Sequence, residues 1–458
     1  MVRKIYKMLT DEQKIYELSL IWKEAEYNFA FWDKLSINWD EEYKKALPRV
    51  LAAKDRYEYY KELMRFITLL GDGHTDVSMP MDIMQDPEYY SMLPVILFQL
   101  GEEIVVLNVT EEYKDRISLY SILKKVDGMD ASEYVKERIY PYIWHAHKDS
   151  CGYNAMMWLM CGRAGSTVNC TFEKDGEQFD ITLTRANPAN LHWGSVDMPI
   201  KKVTSKTILE GDFLKGDSCS IGMTEDDIAV ITISSFMDDT LPGKVYACFD
   251  ELKKAKAYII NVRGNGGGNS ANGDAIAAMF IDGSFESCGA ETQVYEPTRR
   301  AWGEGRNDLN GLTLAELEEK QVDEENIRNY KMCRHICYTK EIGTKENHAP
   351  GKLEGPIVVL MNEAVFSAAE DFVDVMKAHT RAVFIGGNTA GTSGQPLFRK
   401  LESGGAFRVC TRRCYAQNGE DIYNKGFSPD IRVIPTLEDL KAGRDTGMAK
   451  ALEYLRSK

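Results

Sequence analysis

One stretch of the chain, residues 355–377, limits the possible folds more than any other because its hydrophobic period changes in the middle. It starts with a continuous apolar run at residues 356–361, rich in β-branched side chains, which is typical of a strand buried on both faces of a parallel sheet. From there the apolar residues take the i, i+3, i+4, i+7 spacing of a helix: Ala369, Phe372, Val373 and Met376. The stretch predicts a buried strand, a turn and a helix.

Ser367 stands where the predicted strand becomes the predicted helix. The first N–H groups of a helix have no intrahelical partner and the helix dipole is positive there, so negative charge that develops beside the serine would be stabilised. This placement suits a nucleophile. However, serine is also a common N-cap residue. The stretch alone leaves both roles open and favours the N-cap.

The overall composition is that of an ordinary globular chain and excludes some partners. A length of 458 residues suggests two or three domains. The net charge of −14 argues against nucleic acid and anionic membranes as partners, because both need a cationic face. No apolar run approaches the length of a membrane span. The N-terminal segment is not a signal peptide as it stands, so we expect a cytoplasmic protein, or a secreted or periplasmic one if a leader is removed.

The ten cysteines do not indicate a disulfide scaffold in a chain of this length, and none form CxxC pairs. Cys333 and Cys337 flank His335, but a zinc site needs four gathered ligands and nothing in the sequence gathers them. The pair His145 and His147 has the same weakness and is better explained as solvated or hydrogen-bonded histidines. The sequence predicts reduced, mostly buried thiols, no metal site and no cofactor.

The hydrophobic period divides the chain into three regions. Residues 1–80 predict helices that end in a loop. Residues 95–190 predict a compact α+β module with a hairpin turn at residues 174–177. Residues 191–458 alternate strand and helix, which implies parallel pairing with right-handed crossovers, and a charged, helical insertion interrupts them at about residues 291–350.

The segment LLGDGHTDVSMP presents His74 in a loop after the helical region. Its glycines and aspartates are typical turn residues. Loops carry function disproportionately, and histidine is the most frequent general base. Because a lone loop histidine is usually a surface residue, His74 becomes a candidate base only together with a nucleophile.

The run GNGGGN at residues 264–269 follows a predicted strand. It matches neither GxGxxG nor GxxxxGK[ST], so a phosphate site is not favoured. The glycines do offer unobstructed backbone N–H groups at the carboxyl end of a strand, where open α/β sheets bind ligands. Such amides can hold an oxyanion.

Four segments match the motifs of one known family when they are taken together. They are AYIINVRGNGGG at residues 257–268, VLMNEAVFSAAEDF at 359–372, RAVFIGGNTAGTSGQ at 381–395 and KGFSPDIRV at 425–433. With a closing amphipathic helix predicted over residues 437–458, they resemble the C-terminal processing (tail-specific) protease family. The resemblance implies an α/β fold with a crotonase/ClpP-like mixed β-α core domain, an N-terminal helical domain and a PDZ-like α+β module at residues 95–190.

The family divides by how its serine is activated. The tail-specific branch has a lysine at the position that Thr392 occupies here, so a Ser–Lys dyad is not available at that position. The chain instead resembles the tricorn-like branch, in which a histidine from an N-terminal helical region is the base, and the loop around His74 matches that branch. Glu370 also matches a glutamate of the family and is expected to support the start of the helix.

The resemblance implies a role for each candidate. Ser367 would attack the scissile carbonyl, and His74 would take its proton and return it to the leaving amine. Backbone N–H groups of Gly267 or Gly268 and of Ala368 would hold the oxyanion.

The orienting carboxylate of the tricorn-like branch is missing from its expected place, which Tyr423 occupies. Glu420 or Asp421 are candidates to replace it, as are Asp72 and Asp76 beside the histidine. Loss of this partner need not abolish activity.

The motifs together predict a serine endopeptidase that hydrolyses peptides or unfolded proteins, with no cofactor and with oligomerisation possible. A catalytically inactive peptide- or lipophile-binding protein on the same fold is the alternative. An α/β hydrolase acting on esters ranks last, because residues 365–369, VFSAA, lack the glycines of GxSxG and the histidine precedes the serine.

Overall fold

The computed structural model describes residues 8–143, 150–194 and 203–458, so the predicted pair His145 and His147 lies outside the described residues. The chain divides into two compact units, each assembled from three segments. The first unit contains Met1–Met81, Gly289–Ile342 and Gly394–Tyr415, and the second contains Asp82–Cys288, Gly343–Ser393 and Ala416–Lys458. Each unit mixes helices and strands, which confirms the α/β class at that level.

The second unit is built around a seven-stranded sheet. Its strands lie in the order Lys206–Leu209, Cys219–Met223, Ile228–Ile233, Ala257–Asn261, Ile357–Met361, Val383–Gly386 and Ile431–Arg432. The first two junctions are antiparallel and the other four are parallel. The predicted parallel pairing is confirmed, and the sheet adds an antiparallel edge that the sequence did not predict.

Both faces of this sheet are covered, as the unbroken apolar run predicts. One face packs under the helices Ser270–Ala278 and Ala368–His379, and the other packs against the helix Thr446–Arg456. All five residues of the strand Ile357–Met361 are buried. Burial on both faces holds the C-terminal end of this strand in place, where the turn to Ser367 begins. Further helices of the unit are Leu241–Tyr246, Phe249–Leu252 and Leu437–Lys441.

An antiparallel α+β module belongs to the same unit. Its main strands are, in sheet order, Val95–Leu100, Glu103–Val109, Ile122–Val126, Thr167–Lys174 and Glu177–Thr184, with Met129–Asp130 paired to the third. Its helices are Ala131–Tyr134 and Gly152–Met160, and Ser91–Met92 pairs with Cys161–Gly162. The predicted hairpin is confirmed, because Asp175 (φ 51°) and Gly176 (φ 87°) are both left-handed, as a two-residue type I′ turn requires.

The first unit combines helices with two small antiparallel sheets. The helices are Asp11–Asn28, Trp39–Ala52, Arg56–Ile67, Pro297–Glu304, Leu314–Glu319 and Glu324–Cys333. One sheet has the order Asp76–Ser78, Ala406–Cys410, Pro396–Lys400, and the other Tyr338–Glu341, Gly289–Gln293, Arg412–Tyr415. Helices therefore form in both segments for which the sequence predicts them. The short helix Met81–Met84 contains the boundary between the units, and Phe285–Glu286 pairs with Thr344–Lys345 in the second unit.

The prediction of one closing helix is wrong. The chain forms Leu437–Lys441 and Thr446–Arg456 instead, because Gly443 adopts a left-handed φ of 60° and Asp445 caps the second helix through the Met448 N–H. All ten cysteines are free thiols and six of them are buried, as predicted. Among the described residues, no helix combines the length and the apolar character that crossing a membrane would need.

Candidate active site

Ser367 lies between the buried strand Ile357–Met361 and the helix Ala368–His379. Its backbone has φ 58° and ψ −129°, which a residue with a side chain adopts only when its surroundings hold it there. The Ser367 N–H donates to the Thr392 carbonyl over 3.2 Å. The residue occupies the N-cap position, yet its hydroxyl makes no capping hydrogen bond. The N-cap alternative for this side chain is therefore wrong, and its role as nucleophile remains the prediction.

The glycine run presses against the nucleophile turn. Gly267 has a φ of 92°, and a Cβ atom added there would lie 2.6 Å from the Phe366 carbonyl oxygen and 2.8 Å from Ser367 Cβ. A Cβ added at Gly268, with a φ of 141°, would lie 2.4 Å from the Met237 nitrogen. Both the backbone conformation and the close approach therefore require glycine at these two positions.

Only one of the two predicted glycine amides is available to an oxyanion. The Gly267 N–H donates to Asn265 Oδ1 over 2.9 Å, and the Gly267 carbonyl accepts from the Phe236 N–H over 2.9 Å. In a trans peptide the carbonyl of one residue and the N–H of the next point in opposite directions. The Gly268 N–H therefore points away from Phe236, which makes Gly268 rather than Gly267 the candidate donor.

Ala368 supplies a second backbone amide beside the same glycines. It is the first residue of the helix Ala368–His379, where N–H groups have no intrahelical acceptor. Its nitrogen would lie 2.9 Å from a Cβ atom added at Gly267. The second unit thus brings Ser367, Ala368 and the glycine run together.

Glu370 is fully buried and accepts three hydrogen bonds from one turn. Oε1 accepts from the Thr389 hydroxyl (2.5 Å) and from the Gly391 N–H (2.8 Å), and Oε2 accepts from the Thr392 N–H (2.7 Å). Burial raises the pKa of this carboxyl to about 7, against the effect of the three donors. Glu370 therefore contacts the turn that carries the acceptor for the Ser367 N–H, and its support of the helix start stays a prediction.

Glu420 and Asp421 lie in an exposed loop of the second unit. Asp421 accepts from the Tyr423 N–H (3.2 Å) and lies 3.7 Å from Lys425 Nζ. The same loop reaches the turn that Glu370 holds, because the Asn424 N–H donates to the Gly391 carbonyl over 2.8 Å. The loop is therefore attached to the nucleophile region, while its two carboxylates face solvent.

His74 belongs to the first unit, in the loop before the strand Asp76–Ser78, and only 2% of it is exposed. Burial, together with the nearby Arg408 guanidinium, lowers the pKa of the imidazole to about 3. The ring is consequently neutral at physiological pH. A neutral imidazole is the form that can accept a proton.

A chain of hydrogen bonds holds the histidine loop. The His74 N–H and the Thr75 hydroxyl both donate to Asp72 Oδ1, over 2.9 Å and 2.8 Å. The Cys410 N–H donates to Thr75 Oγ1 over 3.0 Å. Asp72 Oδ2 is buried and makes no hydrogen bond to the described residues, and burial raises the pKa of this carboxyl to about 6.

Arg408 fastens the same loop from the neighbouring strand. It donates to the Gly73 carbonyl (3.1 Å) and pairs with Asp76 Oδ2 (2.7 Å). Asp72 and Asp76 therefore contact the backbone of the loop, Thr75 and Arg408. Both carboxylates support the loop as a whole.

Three residues that hold these loops were not found from the sequence. Asn265, which takes up the Gly267 N–H, lies inside the glycine run, and an asparagine in a turn is the signal that could have indicated it. Thr389 and Arg408 act over long sequence distances, and no local signal marks them.

Comparison with known proteins supports the predicted family. Residues 227–433 match Peptidase family S41. The carboxy-terminal processing protease CtpA of Bacillus subtilis is 23% identical over 300 residues, covering 61% of this chain and 52% of that protein. A probable CtpA-like serine protease of Staphylococcus haemolyticus is 22% identical over 307 residues, covering 64% and 48%. The resemblance to the C-terminal processing protease family is confirmed, and the chain spans about half the length of these curated relatives.

The fold also has a solved counterpart. Mature CPAF, solved in complex with lactacystin, matches with a TM-score of 0.68 at 15% identity and covers 97% of both chains. At that identity the likeness concerns the fold alone.

Proposed function

We propose that this chain, with its segment of Peptidase family S41, is a serine peptidase that hydrolyses peptide bonds in peptides or unfolded proteins. One observation carries the proposal. Ser367 sits in a strained turn with its hydroxyl unused as a cap, beside the Ala368 amide and in close contact with Gly267, the residue before Gly268. Acyl transfer needs a nucleophile beside preformed oxyanion donors in this way.

The proposed reaction begins when Ser367 Oγ attacks the scissile carbonyl carbon and His74 takes the hydroxyl proton. The N–H groups of Gly268 and Ala368 donate to the carbonyl oxygen as it becomes negative. The imidazolium then gives its proton to the leaving amine, and the amine departs from the acyl-enzyme. Water, deprotonated by His74, attacks the ester, and the imidazolium returns the proton to Ser367 Oγ as the carboxylic acid product leaves.

Two observations support His74 as the base. Thr392 stands where the related branch has a lysine, and a threonine hydroxyl does not accept protons near neutral pH. The lowered pKa of His74 keeps the ring neutral, which is the form that can accept a proton, and it also makes the ring a weaker base than a free imidazole. Glu420 and Asp421 remain the proposed orienting carboxylates, with Asp72 as the group that holds the loop.

Mutation of the two reacting groups tests the function. Ser367→Ala should lower kcat on casein or a fluorogenic peptide by roughly 10⁶-fold, and His74→Ala by a similar factor, because a serine without its base is a poor nucleophile. A fluorophosphonate probe should label the wild type at Ser367, located by mass spectrometry. Circular dichroism should show that both variants fold.

Ser457→Ala and His348→Ala are matched controls, since both residues are exposed and neither belongs to the proposed site. They should retain full activity. Full hydrolysis by either Ser367→Ala or His74→Ala would remove this mechanism. A wild type that binds peptides while Ser367 stays unlabelled would support the inactive binding protein instead.

A further inference from the structure

A buried carboxylate is connected to the nucleophile through the backbone of one residue, Thr392. Glu370 accepts from the backbone N–H of Thr392, and the carbonyl of Thr392 accepts the N–H of Ser367 over 3.2 Å. Ser367 also leads into the helix that carries Glu370, because its carbonyl accepts the Glu370 N–H over 2.7 Å. The serine backbone and the turn at residues 389–392 therefore close a ring of hydrogen bonds with Glu370 as its centre.

This ring of hydrogen bonds holds Ser367 in an unfavourable backbone conformation. Ser367 has a φ of 58°, and a residue with a side chain loses of order 1–3 kcal/mol in such a conformation unless its surroundings hold it. The hydrogen bond from the Ser367 N–H to Thr392 is a contact that fixes the orientation of this peptide. The adjoining Ala368 N–H, a proposed oxyanion donor, shares the same turn.

We propose that Glu370 is a positioning residue for the peptidase reaction, which sets the direction of the Ser367 hydroxyl and of the Ala368 N–H through the turn at residues 389–392. The inference rests on the proposed function. Glu370 itself is too deeply buried to touch a substrate, since none of its surface is exposed. Loss of Glu370 should change kcat and not KM, because a misdirected nucleophile reduces stabilisation of the transition state and leaves substrate binding intact.

The protonation state of Glu370 matters for this task. All three neighbouring groups of the turn donate hydrogen bonds to its oxygens, so a proton on either oxygen would face a donor. Burial raises the pKa of Glu370 to about 7, whereas the pKa of His74 is about 3. Acidification below pH 7 should loosen the turn long before the imidazole is protonated.

Other charged groups surround Glu370 and require a control. Asp371 and Asp374 lie on its own helix, and Asp274 lies on the helix packed against it. The loop beside the turn carries Asp421 and Lys425, which pair with each other. Burial raises the pKa values of Asp274 and Asp374 to about 6, so these two carboxyls titrate in a similar range.

Asp374 offers the matched control. It lies one turn further along the same helix, only 2% of it is exposed, and it accepts from the Gln417 N–H over 3.0 Å. This hydrogen bond connects Asp374 to Gln417 and not to the turn at residues 389–392. Asp374→Asn therefore removes a buried, titrating carboxyl from the helix while the ring around Ser367 stays in place.

The experiment measures kcat, KM and the rate of fluorophosphonate labelling from pH 5.5 to 8.5. Glu370→Gln should lower kcat and the labelling rate by roughly tenfold or more at pH 8, with KM changed less than about twofold, because small misplacements of reacting groups are costly. The wild type should lose activity below pH 7, and Glu370→Gln should show no such acid limb. Asp374→Asn should keep both the wild-type kcat and the acid limb.

Thr389 provides a second pair of variants in case Glu370→Gln does not fold. Thr389→Val removes the hydroxyl that donates to Glu370, and Thr389→Ser keeps it. Labelling should slow in the valine variant and recover in the serine variant.

Each remaining result contradicts the inference. Equal kcat and equal pH profiles for Glu370→Gln and Asp374→Asn, or a Glu370→Gln effect on KM alone, would show that Glu370 is an ordinary core residue. A wild type that neither hydrolyses peptides nor reacts with the probe would overturn the proposed function, and the inference with it. Active wild type with unaffected Glu370→Gln would overturn the inference alone.

Discussion

The turn that carries Ser367 and the loop that carries His74 are both held by a buried carboxylate, and the two carboxylates are used to different extents. Glu370 accepts hydrogen bonds on both oxygens, and all three donors belong to one turn. Asp72 accepts two hydrogen bonds on Oδ1, while Oδ2 has no hydrogen-bond partner among the described residues. Both carboxylate oxygens of Glu370 therefore hold the nucleophile turn, whereas only one carboxylate oxygen of Asp72 holds the histidine loop.

The difference also concerns where the supporting groups come from. Glu370 and its partners are 19 to 22 residues apart, within neighbouring elements of one sheet and its helices. The histidine loop is fastened by Arg408 and Cys410, each 335 residues from its partner in the loop. We infer that the nucleophile turn forms with the parallel core, whereas the histidine loop depends on the docking of a distant strand.

The largest expected effect lies in the nucleophile turn. Gly267→Ala would place a Cβ atom 2.6 Å from the Phe366 carbonyl oxygen and 2.8 Å from Ser367 Cβ, at a φ of 92°. The turn must shift to relieve these contacts, and we expect kcat to fall by about 100-fold or more. Gly266→Ala is the control, since a Cβ atom there meets nothing within 4 Å. Similar kcat values for the two variants would show that the turn is not tightly held.

Two substitutions at Asp72, in the histidine loop, should differ in their effect on the free energy of unfolding. Asp72→Ala leaves the His74 N–H and the Thr75 hydroxyl without their acceptor and should lower the free energy of unfolding by about 2 to 4 kcal/mol. Asp72→Asn keeps the Oδ1 acceptor and removes a buried charge, so its stability should stay within about 1 kcal/mol of the wild type. Urea denaturation at pH 7.5 measures both. Equal losses would mean that the negative charge, and not the acceptor, holds the loop.

The smallest expected effect is a pH dependence of stability that arises from His74. The folded protein keeps the imidazole neutral down to about pH 3, whereas the unfolded chain protonates it below its ordinary pKa of about 6.5. Protons therefore favour the unfolded state in this range, and stability should fall by up to about 1.4 kcal/mol for each unit of pH below 6.5.

Asp72 has a raised pKa and opposes this trend, so the measurement belongs in the Asp72→Asn background. Glu370, Asp274 and Asp374 also have raised pKa values and act in the same direction as Asp72. Urea denaturation from pH 7.5 to pH 5 should therefore show the His74 loss as the difference between this background and the same background with His74→Gln. A loss of the same slope after His74→Gln would assign the pH dependence to other groups.

Local sequence patterns predicted the elements around the nucleophile. The apolar run and the change of period placed Ser367 at the end of a buried strand, and the structure confirms both the strand Ile357–Met361 and the helix Ala368–His379. The turn residues Asp175 and Gly176 predicted a hairpin that forms. These features depend on residues that are near each other in the chain, where side-chain periodicity and backbone preference act directly.

The same patterns could not decide which groups satisfy the turns. Gly267 and Gly268 were equivalent candidates until the Asn265 side chain proved to take up the Gly267 N–H. The closing helix is interrupted at Gly443, although the apolar spacing continues past it. A hydrogen-bond partner decides which glycine amide is available, and a backbone angle decides where the helix ends. Hydrophobic spacing predicts neither.

The sequence by itself determined the strand and the helix on either side of Ser367 and the parallel pairing of the buried sheet, because these follow from short-range periodicity and burial. Only the tertiary structure decided that the Ser367 hydroxyl is not a cap, that Glu370 accepts a hydrogen bond from Thr392, and that His74 is buried with a lowered pKa. Those properties depend on contacts between residues far apart in the chain, and on the loss of water around buried groups when the core closes.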